Sequence, residues 1–238
     1  RLLAFAAASL AFAGSLAAQS PAPQLQFPAA SPAGSLKQRI GLTDLEISYN
    51  RPSTKGRQIF GALVPYGEIW RTGADTATRL KLSTAAKVGG VDVAAGTYEL
   101  FTIPGQTEWT VILQNVQERP QWGAYAYDAK NDAARFAAKP SATASRVETL
   151  TLDVGQLTQS SANVTIAWAD TQITFPIQVD TVGLLAPQIE AAMAGDSDKK
   201  PYFAAAMFYY ENNLDLKKAL AWLDAGLAAQ PNAFWMTY

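Results

Sequence analysis

The sequence predicts a mainly β protein, in which an antiparallel β-sandwich or jelly-roll-like domain precedes a C-terminal α-helical hairpin. Three observations support this fold class. Apolar and polar residues alternate over short runs between residues 35 and 180, as they do in strands with one buried face. Turn signals containing Gly or Pro separate these runs, which is typical of sandwiches and jelly rolls. After Asp180, apolar residues recur at helical spacing instead.

The first residues are typical of an export signal. An apolar run follows Arg1 from residue 2 to residue 13, Gly14 begins its interruption, and small residues then fit a signal-peptidase site. We assign residues 1–18 to a signal peptide whose n-region is missing, and we expect a periplasmic or extracellular protein. The apolar run is too short to span a membrane, so no stable membrane insertion is expected.

A stretch rich in Pro, Ala and Ser covers residues 19–34 and predicts a disordered leader, because it offers little to bury. Residues 35–180 then form one predicted β domain. The runs predicted to be strands lie at residues 45–49, 80–82, 98–103, 109–113, 135–138, 148–154, 163–168 and 172–179. Gly89 and Gly90 predict a two-residue hairpin turn, and Pro104 with Gly105 predicts a second hairpin.

The remaining segment, residues 181–238, is predicted to be helical. Pro187 is expected to open a first helix and Pro201 a second, because proline suits the first turn of a helix. A third helix is expected to begin at about Asp215, where apolar residues recur every three or four positions.

The last two predicted helices resemble one tetratricopeptide repeat, a structure that contacts other proteins. Phe203 and Tyr210 of the first helix are expected to pack against Leu220 and Leu223 of the second, near the small Ala219. A single repeat cannot bury both of its faces. We therefore expect the natural protein to continue beyond the last residue.

The chain contains no cysteine and no histidine. Their absence excludes disulfides, zinc sites built on Cys or His, and nucleophiles activated by histidine. No catalytic residue, metal site or cofactor is predicted. Nineteen basic and twenty acidic side chains give a net charge of −1. The chain thus lacks the basic footprint of a nucleic-acid-binding protein.

The segment from Arg51 to Thr78, which we call the central loop, holds the candidate binding site. Its arginines, glycines, prolines and aromatic residues fit neither one helix nor one strand, and ordered loops often carry binding sites on a β scaffold. Residues 37–81 hold eight basic and four acidic side chains, a local excess of +4. Either this excess attracts an anionic small molecule or an acidic protein partner, or the guanidinium groups pair with local carboxylates.

The side chains predicted to bind the ligand are Arg57, Trp70, Arg71, Asp75 and Trp122. Arg71 would hold a carboxylate or phosphate, with Trp70 as a flat wall beside it. The alternative places Trp70 in the core and pairs Arg71 with Glu68 or Asp75 to lock the loop. The aromatic run at 122–127 forms either a platform for a sugar or peptide, or part of the core.

Four segments resemble the DUF2911 family of uncharacterised, exported bacterial proteins. They are SPAGSLKQRIG at 31–41, YNRPSTKGRQIFGALVPYGEIWRTGAD at 49–75, AAGTYELFTIPG at 94–105 and QWGAY at 121–125. The resemblance covers about residues 32–180 and implies a fold and an export route, but no activity. The family pattern often has Asn where this chain has Asp75, which argues against a role that requires that carboxylate.

These observations favour an exported, non-enzymatic binding module that acts through the central loop and the helices. A structural or assembly scaffold acting through the helical repeat is the alternative. A second alternative is a hydrolase of envelope or carbohydrate substrates, for which Glu68, Asp75, Glu99 and Glu108 offer carboxylates. An open pocket at the candidate residues favours binding, whereas buried and paired side chains favour a scaffold.

Overall fold

The computed structural model describes residues 25–116, 121–197 and 199–233. The strands are β1 Ala33–Ile40, β2 Thr43–Asn50, β3 Thr78–Leu82, β4 Ala86–Val88, β5 Val91–Val93, β6 Gly96–Ile103, β7 Trp109–Asn115, β8 Asp132–Ala138, β9 Ser141–Gly155 and β10 Ser161–Val179. A 3₁₀ helix at Ala129–Asn131 precedes β8, and the α-helices are α1 Thr181–Ala194, α2 Tyr202–Glu211 and α3 Leu216–Ala229. None of the helices in this part of the chain is long and apolar enough to cross a membrane.

The strands form two antiparallel sheets. The first has six strands in the order β1-β2-β3-β6-β7-β8, and the second has four in the order β5-β4-β10-β9. Buried residues from both sheets belong to one hydrophobic cluster, so the sheets share a core. The prediction of a mainly β chain with helices at its C-terminal end is confirmed.

The alternation of apolar and polar residues along each strand determines which side chains enter this core. Ile47 of β2, Leu80 of β3 and Tyr98 of β6 are aligned across the first sheet, and all three are buried. Lys81, one position along β3, is exposed. Successive side chains of a strand point to opposite faces, so the period of two in the sequence becomes one apolar face and one polar face.

The first strand begins earlier than the sequence predicts. β1 starts at Ala33, so the last two residues of the predicted leader belong to the sheet and pair with β2. The amide of Arg51 also donates to the carbonyl of Pro32 at 2.9 Å. Residues 1–24, which include the predicted signal peptide, lie outside the described residues.

The predicted strands at 163–168 and 172–179 are one long strand, β10. Ala169 lies in the left-handed region with a φ of 53°, and the pairing with β9 shifts register on both sides of it. Buried residues are even-numbered before this bulge, as in Trp168, and odd-numbered after it, as in Ile173. The prediction of two strands was wrong because the break in alternation marks a bulge and not a turn.

Four aromatic rings, which we call the aromatic cluster, join the two sheets to the central loop. Trp109 lies on β7 and Trp168 on β10, while Phe60 and Trp70 belong to the loop. Phe60 packs edge-on against the other three rings at centroid distances of 4.8 to 6.3 Å. Trp70 stacks on Trp168 at 5.8 Å. All four residues are buried, so loop side chains complete the core of the β structure.

Helix α1 begins at Thr181 and not at Pro187 as predicted. The side chain of Asp180 accepts a hydrogen bond from the Gly183 amide at 2.7 Å and caps the helix. Pro187 lies inside the helix, where a proline removes one backbone hydrogen bond. The prediction was wrong because the capping carboxylate, rather than the proline, sets the start of the helix.

Helix α2 turns a different face towards its neighbours than the sequence predicts. Tyr210 and Leu220 are 64% and 60% exposed, whereas Tyr209 is buried. Tyr209 packs edge-on against Trp222 of α3 at 4.7 Å, and its hydroxyl donates to Glu190 of α1 at 2.6 Å. Burial and this hydrogen bond raise the pKa of Tyr209 to about 12. The predicted packing of Tyr210 was wrong because a step of one residue turns a helical side chain by about 100°.

Removal of a ring from the aromatic cluster should destabilise the protein. Trp70→Ala should lower the free energy of unfolding by about 3–5 kcal/mol, because it deletes a buried ring that contacts a tryptophan from each sheet. Urea unfolding followed by circular dichroism measures the change. Tyr210→Ala removes an exposed ring of α2 and is the matched control, with an expected change below about 0.5 kcal/mol. Equal effects of the two substitutions would contradict the importance of the cluster.

The helices offer a second test of packing. Ala219 of α3 is buried within the hydrophobic cluster shared by the three helices. Ala219→Leu should lower the free energy of unfolding by about 1–3 kcal/mol, because the larger side chain has no space there. Ala221→Leu, on the exposed face of the same helix, is the control. Thermal unfolding followed by far-UV circular dichroism measures the effect. An unchanged unfolding midpoint for Ala219→Leu would rule out a close contact at this position.

Candidate functional site

A cavity of about 450 Å³ opens beside the central loop. The predicted binding residues that line it are Arg57, Trp70, Arg71 and Asp75. Residues 63–65, 68 and 69 of the same loop and Trp168 of β10 form other parts of the wall. The volume lies within the range of small-molecule sites, about 300–1,000 Å³. The fold therefore brings together four of the five residues that the sequence singles out.

The backbone holds Arg71 at the cavity wall. Its neighbour Trp70 exchanges two backbone hydrogen bonds with Thr102 of β6, at 2.7 and 2.9 Å. Within the part of the chain that the structure describes, the buried Nε of Arg71 has no hydrogen-bond partner, as is also the case for buried side-chain atoms of Arg79, Trp109 and Gln121. Among the described residues, no carboxylate lies within 4.0 Å of its guanidinium group. Within that part of the chain, Arg71 therefore forms no ion pair with Glu68 or Asp75.

Arg57 is exposed at the rim of the cavity, where it fixes a turn of the loop. Its Nε donates to the carbonyl of Thr54 at 2.9 Å and its Nη2 to the carbonyl of Ser53 at 2.7 Å. Glu148 of β9 holds the same turn by accepting from the Thr54 hydroxyl and, at 2.8 Å, from the Lys55 amide. The Thr54 hydroxyl, followed by the Lys55 amide, lowers the pKa of Glu148. Lys55 needs this support because its φ of 49° is uncommon for a residue other than glycine.

Trp70 supports the cavity from inside the core. It is 7% exposed, and its indole Nε1 donates to the carbonyl of Gly73 at 3.1 Å. Its ring is therefore not an open stacking surface. Asp75 is half-buried, and its carbonyl accepts from the amide of Gly123 at 2.9 Å. Asp75 thus joins the cavity to the segment that carries Trp122.

Trp122 lies outside the cavity lining, on the segment between β7 and β8. It forms an isolated β-bridge with Thr76 of the central loop. Trp122 is 65% exposed and Tyr125 is 91% exposed, so neither contributes to the core. Of the aromatic residues at 122–127, Tyr127 alone packs inward, as the core alternative predicts. It is half-buried, and its ring lies 5.4 Å from the ring of Phe101 on β6.

Sequence reasoning did not identify a buried polar cluster beside the loop, formed by Glu99, Gln114 and Gln121. Glu99 accepts from the backbone amide of Gln121 at 2.8 Å and from its side chain at 2.7 Å. The Gln121 side chain also donates to Gln114 at 2.6 Å. The sequence does contain a signal for this cluster, because Glu99 shares one face of its strand with the apolar Phe101 and Ile103. A carboxylate on the same strand face as large apolar side chains indicates that this face of the sheet is buried rather than solvated.

The cavity combines hydrogen-bond donors and acceptors. Arg57 and Arg71 provide guanidinium groups, whereas Glu68 and Asp75 provide carboxylates. A guanidinium group binds a carboxylate or phosphate with paired hydrogen bonds, and a carboxylate accepts from hydroxyl groups. Within the described ranges, no group of three or more acidic side chains is arranged to hold a metal ion. The arrangement suits an organic ligand with an acidic group and hydroxyl groups.

The turn held by Glu148 should make stability depend on pH. The pKa of Glu148 is lower in the folded state than in the unfolded state. The stabilisation that its carboxylate provides is therefore present above the unfolded-state pKa of about 4.3, and it is lost as the pH falls through the folded-state pKa. Glu148→Gln should be less stable than the wild type at pH 7, and the difference should narrow below about pH 4. Urea unfolding across this range measures it, with the exposed Glu108→Gln as control. A difference that stays constant with pH would contradict the role of the charge.

Comparison with known proteins identifies a family. The family model described as "Protein of unknown function (DUF2911)" matches residues 31–177. The matched region contains the central loop, the four rings of the aromatic cluster and the segment with Trp122. No curated protein and no solved structure matches the chain. Because the family model covers more than half of the 238 residues, the chain belongs to the DUF2911 family, as its motifs predict.

Proposed function

We propose that the chain is an exported, non-enzymatic module that binds an anionic group at the cavity beside the central loop. The group belongs to a small molecule or to a protein partner. The observation that supports this most is the position of Arg71, which lies in the cavity wall and has no carboxylate within 4.0 Å of its guanidinium group among the described residues. A guanidinium group without a carboxylate partner can pair with the carboxylate or phosphate of a ligand. Arg57, at the rim, adds a second positive charge.

The architecture that suits this function is a jelly-roll-like sandwich with its binding loop beside the core. The shared core and the antiparallel pairing of both sheets support it, and loops of sandwich proteins commonly carry binding sites. We further propose that α2 and α3 form a tetratricopeptide-like pair, supported by the small, buried Ala219 and Gly226. The exposed Tyr210 and Leu220 leave apolar surface on these helices for a protein partner.

Export to the periplasm or the cell exterior is part of the proposal. The apolar run at residues 2–13, followed by small residues, supports it. A chain without cysteine also tolerates an oxidising compartment.

Two other functions remain candidates. A scaffold would act through the same exposed helix surface and would need no ligand at the cavity. A hydrolase is favoured by Glu68 and Asp75, which both line the cavity, because glycoside hydrolysis uses a pair of carboxylates. Turnover of a panel of chromogenic glycosides that disappears in Glu68→Gln and in Asp75→Asn would support the hydrolase and overturn the non-enzymatic proposal.

Replacement of Arg71 tests the anion site. Arg71→Ala should retain the fold but weaken an anionic ligand by about 1.5–3 kcal/mol, the range for a charged hydrogen bond. Thermal-shift screening of the purified chain against acetate, citrate, phosphate and mixed carboxylates selects the probe, and titration calorimetry measures its affinity. Arg71→Lys keeps the charge but not the paired geometry, so it should restore only part of the affinity.

The matched control is Arg39→Ala, which removes an exposed guanidinium of β1 that pairs with Asp44. It should leave the affinity for the probe unchanged. If Arg71→Ala instead lowers the unfolding midpoint and leaves the affinity unchanged, Arg71 locks the loop and the scaffold becomes the better explanation. Mass spectrometry of molecules that co-purify with the full-length protein from its native envelope then identifies the natural ligand.

A further inference from the structure

We propose that Trp122 and Tyr125 form a stacking platform for a glycan that bears a carboxylate, with its acidic group held by Arg71 in the adjoining cavity. The proposal rests on the proposed function, to which it adds the ligand class and a second group of contacts. The first observation is the exposure of two aromatic side chains. Trp122 is 65% exposed and Tyr125 is 91% exposed, although both side chains are large and aromatic. Large exposed aromatic residues on one short segment are more typical of binding surfaces than of solvated loops.

The platform is held rigidly from below. The amide and side chain of Gln121 both donate to the buried carboxylate of Glu99, and the Gln121 carbonyl accepts from the Ala77 amide at 2.9 Å. Gln121 is therefore fixed against the sheet, and the next residue, Trp122, is exposed. A fully buried carboxylate is costly unless it is hydrogen-bonded. These hydrogen bonds fix the backbone that leads into Trp122.

The Tyr125 ring lies close to the backbone of Gly123. Gly123 has a φ of 69°, and a Cβ atom added there would lie 2.7 Å from the Tyr125 ring. Only glycine permits both this backbone conformation and so close an approach of the ring. The ring therefore approaches the backbone at Gly123 on one side and is otherwise open to solvent, where a ligand can stack on it.

The platform adjoins the cavity through the backbone. Gly123 donates to the carbonyl of Asp75, and Trp122 forms its β-bridge with Thr76. Asp75 itself lines the cavity, as Arg71 does. A ligand that contacts the exposed rings can therefore extend over the edge of the loop towards the guanidinium group.

A glycan with a carboxylate matches this combination of groups. Sugar rings present apolar C–H faces that stack on aromatic rings, and hydroxyl edges that donate to carboxylates such as Glu68 and Asp75. A uronate group accepts paired hydrogen bonds from a guanidinium such as that of Arg71. A peptide ligand fits less well, because most of the exposed cavity wall is polar and peptide recognition commonly anchors a side chain in an apolar pocket.

Binding of acidic oligosaccharides to the full chain tests the proposal. Trigalacturonate is the reference probe, tested with an alginate trisaccharide and a hyaluronan tetrasaccharide; maltotriose is the neutral comparison. Titration calorimetry should detect trigalacturonate more strongly than maltotriose. Trp122→Ala and Tyr125→Ala should each weaken trigalacturonate about tenfold, which corresponds to about 1.4 kcal/mol. Trp122→Phe should keep most of the affinity, and the binding-induced change of tryptophan fluorescence should become smaller in that variant, because Trp70 and Trp168 remain at the cavity.

Further variants separate this proposal from the one on which it rests. Tyr210→Ala removes an exposed ring on α2 and should leave trigalacturonate binding unchanged. Affinity for the small anion chosen with Arg71 should be unaffected by Trp122→Ala. If Arg71→Ala weakens trigalacturonate while neither aromatic variant does, the platform is overturned and the anion site stands. If no acidic oligosaccharide binds, or if maltotriose binds equally well, the glycan assignment is overturned, whatever the small anions show.

Discussion

The packing of the aromatic cluster is the constraint on which the rest of the structure depends. Trp109 and Trp168 come from opposite sheets, and Phe60 and Trp70 of the central loop fill the space between them. A loop of this length would ordinarily be mobile, since ordering each backbone residue costs about 1–2 kcal/mol. Burial of two large rings offsets part of that cost and converts the loop into a part of the core. The part of the cavity wall that Trp70 forms therefore belongs to the core.

Carboxylates then fix the parts of the loop that the rings do not reach. Glu148 holds the turn at Thr54 and Lys55, whereas Glu99 holds Gln121 and, through it, the segment paired with the loop. Both carboxylates accept hydrogen bonds from backbone amides, which restrain chain direction more strongly than contacts between flexible side chains do. Arg71 has no carboxylate within 4.0 Å of its guanidinium group among the described residues, and it lies in the cavity wall.

The sequence predicts the parts of the molecule in which one physical rule acts alone. Strands with a single buried face follow from alternation, so the hairpin of β6 and β7 appears where it is predicted. Prediction fails where two rules compete. The bulge at Ala169 inverts the alternation within one strand, and the cap at Asp180 outweighs the signal from Pro187. On α2, adjacent tyrosines make the inner face ambiguous, and contacts with Glu190 and Trp222 select Tyr209.

The residues of the candidate site also differ in how far the sequence predicts their positions. Arg57, Trp70, Arg71 and Asp75 lie on one loop, so their proximity follows from local sequence, whereas the place of Trp122 depends on a β-bridge to a distant segment. A chain selected for stability alone would bury the indole of Trp122, because burial of a large aromatic ring lowers the free energy of the folded state. Natural sequences depart from such local rules mainly at functional sites. Arg71 lies in the cavity wall, and the exposed Trp122 and Tyr125 lie on a segment that hydrogen-bonds to the same loop, which is why we propose that they act as two sides of one ligand-binding surface.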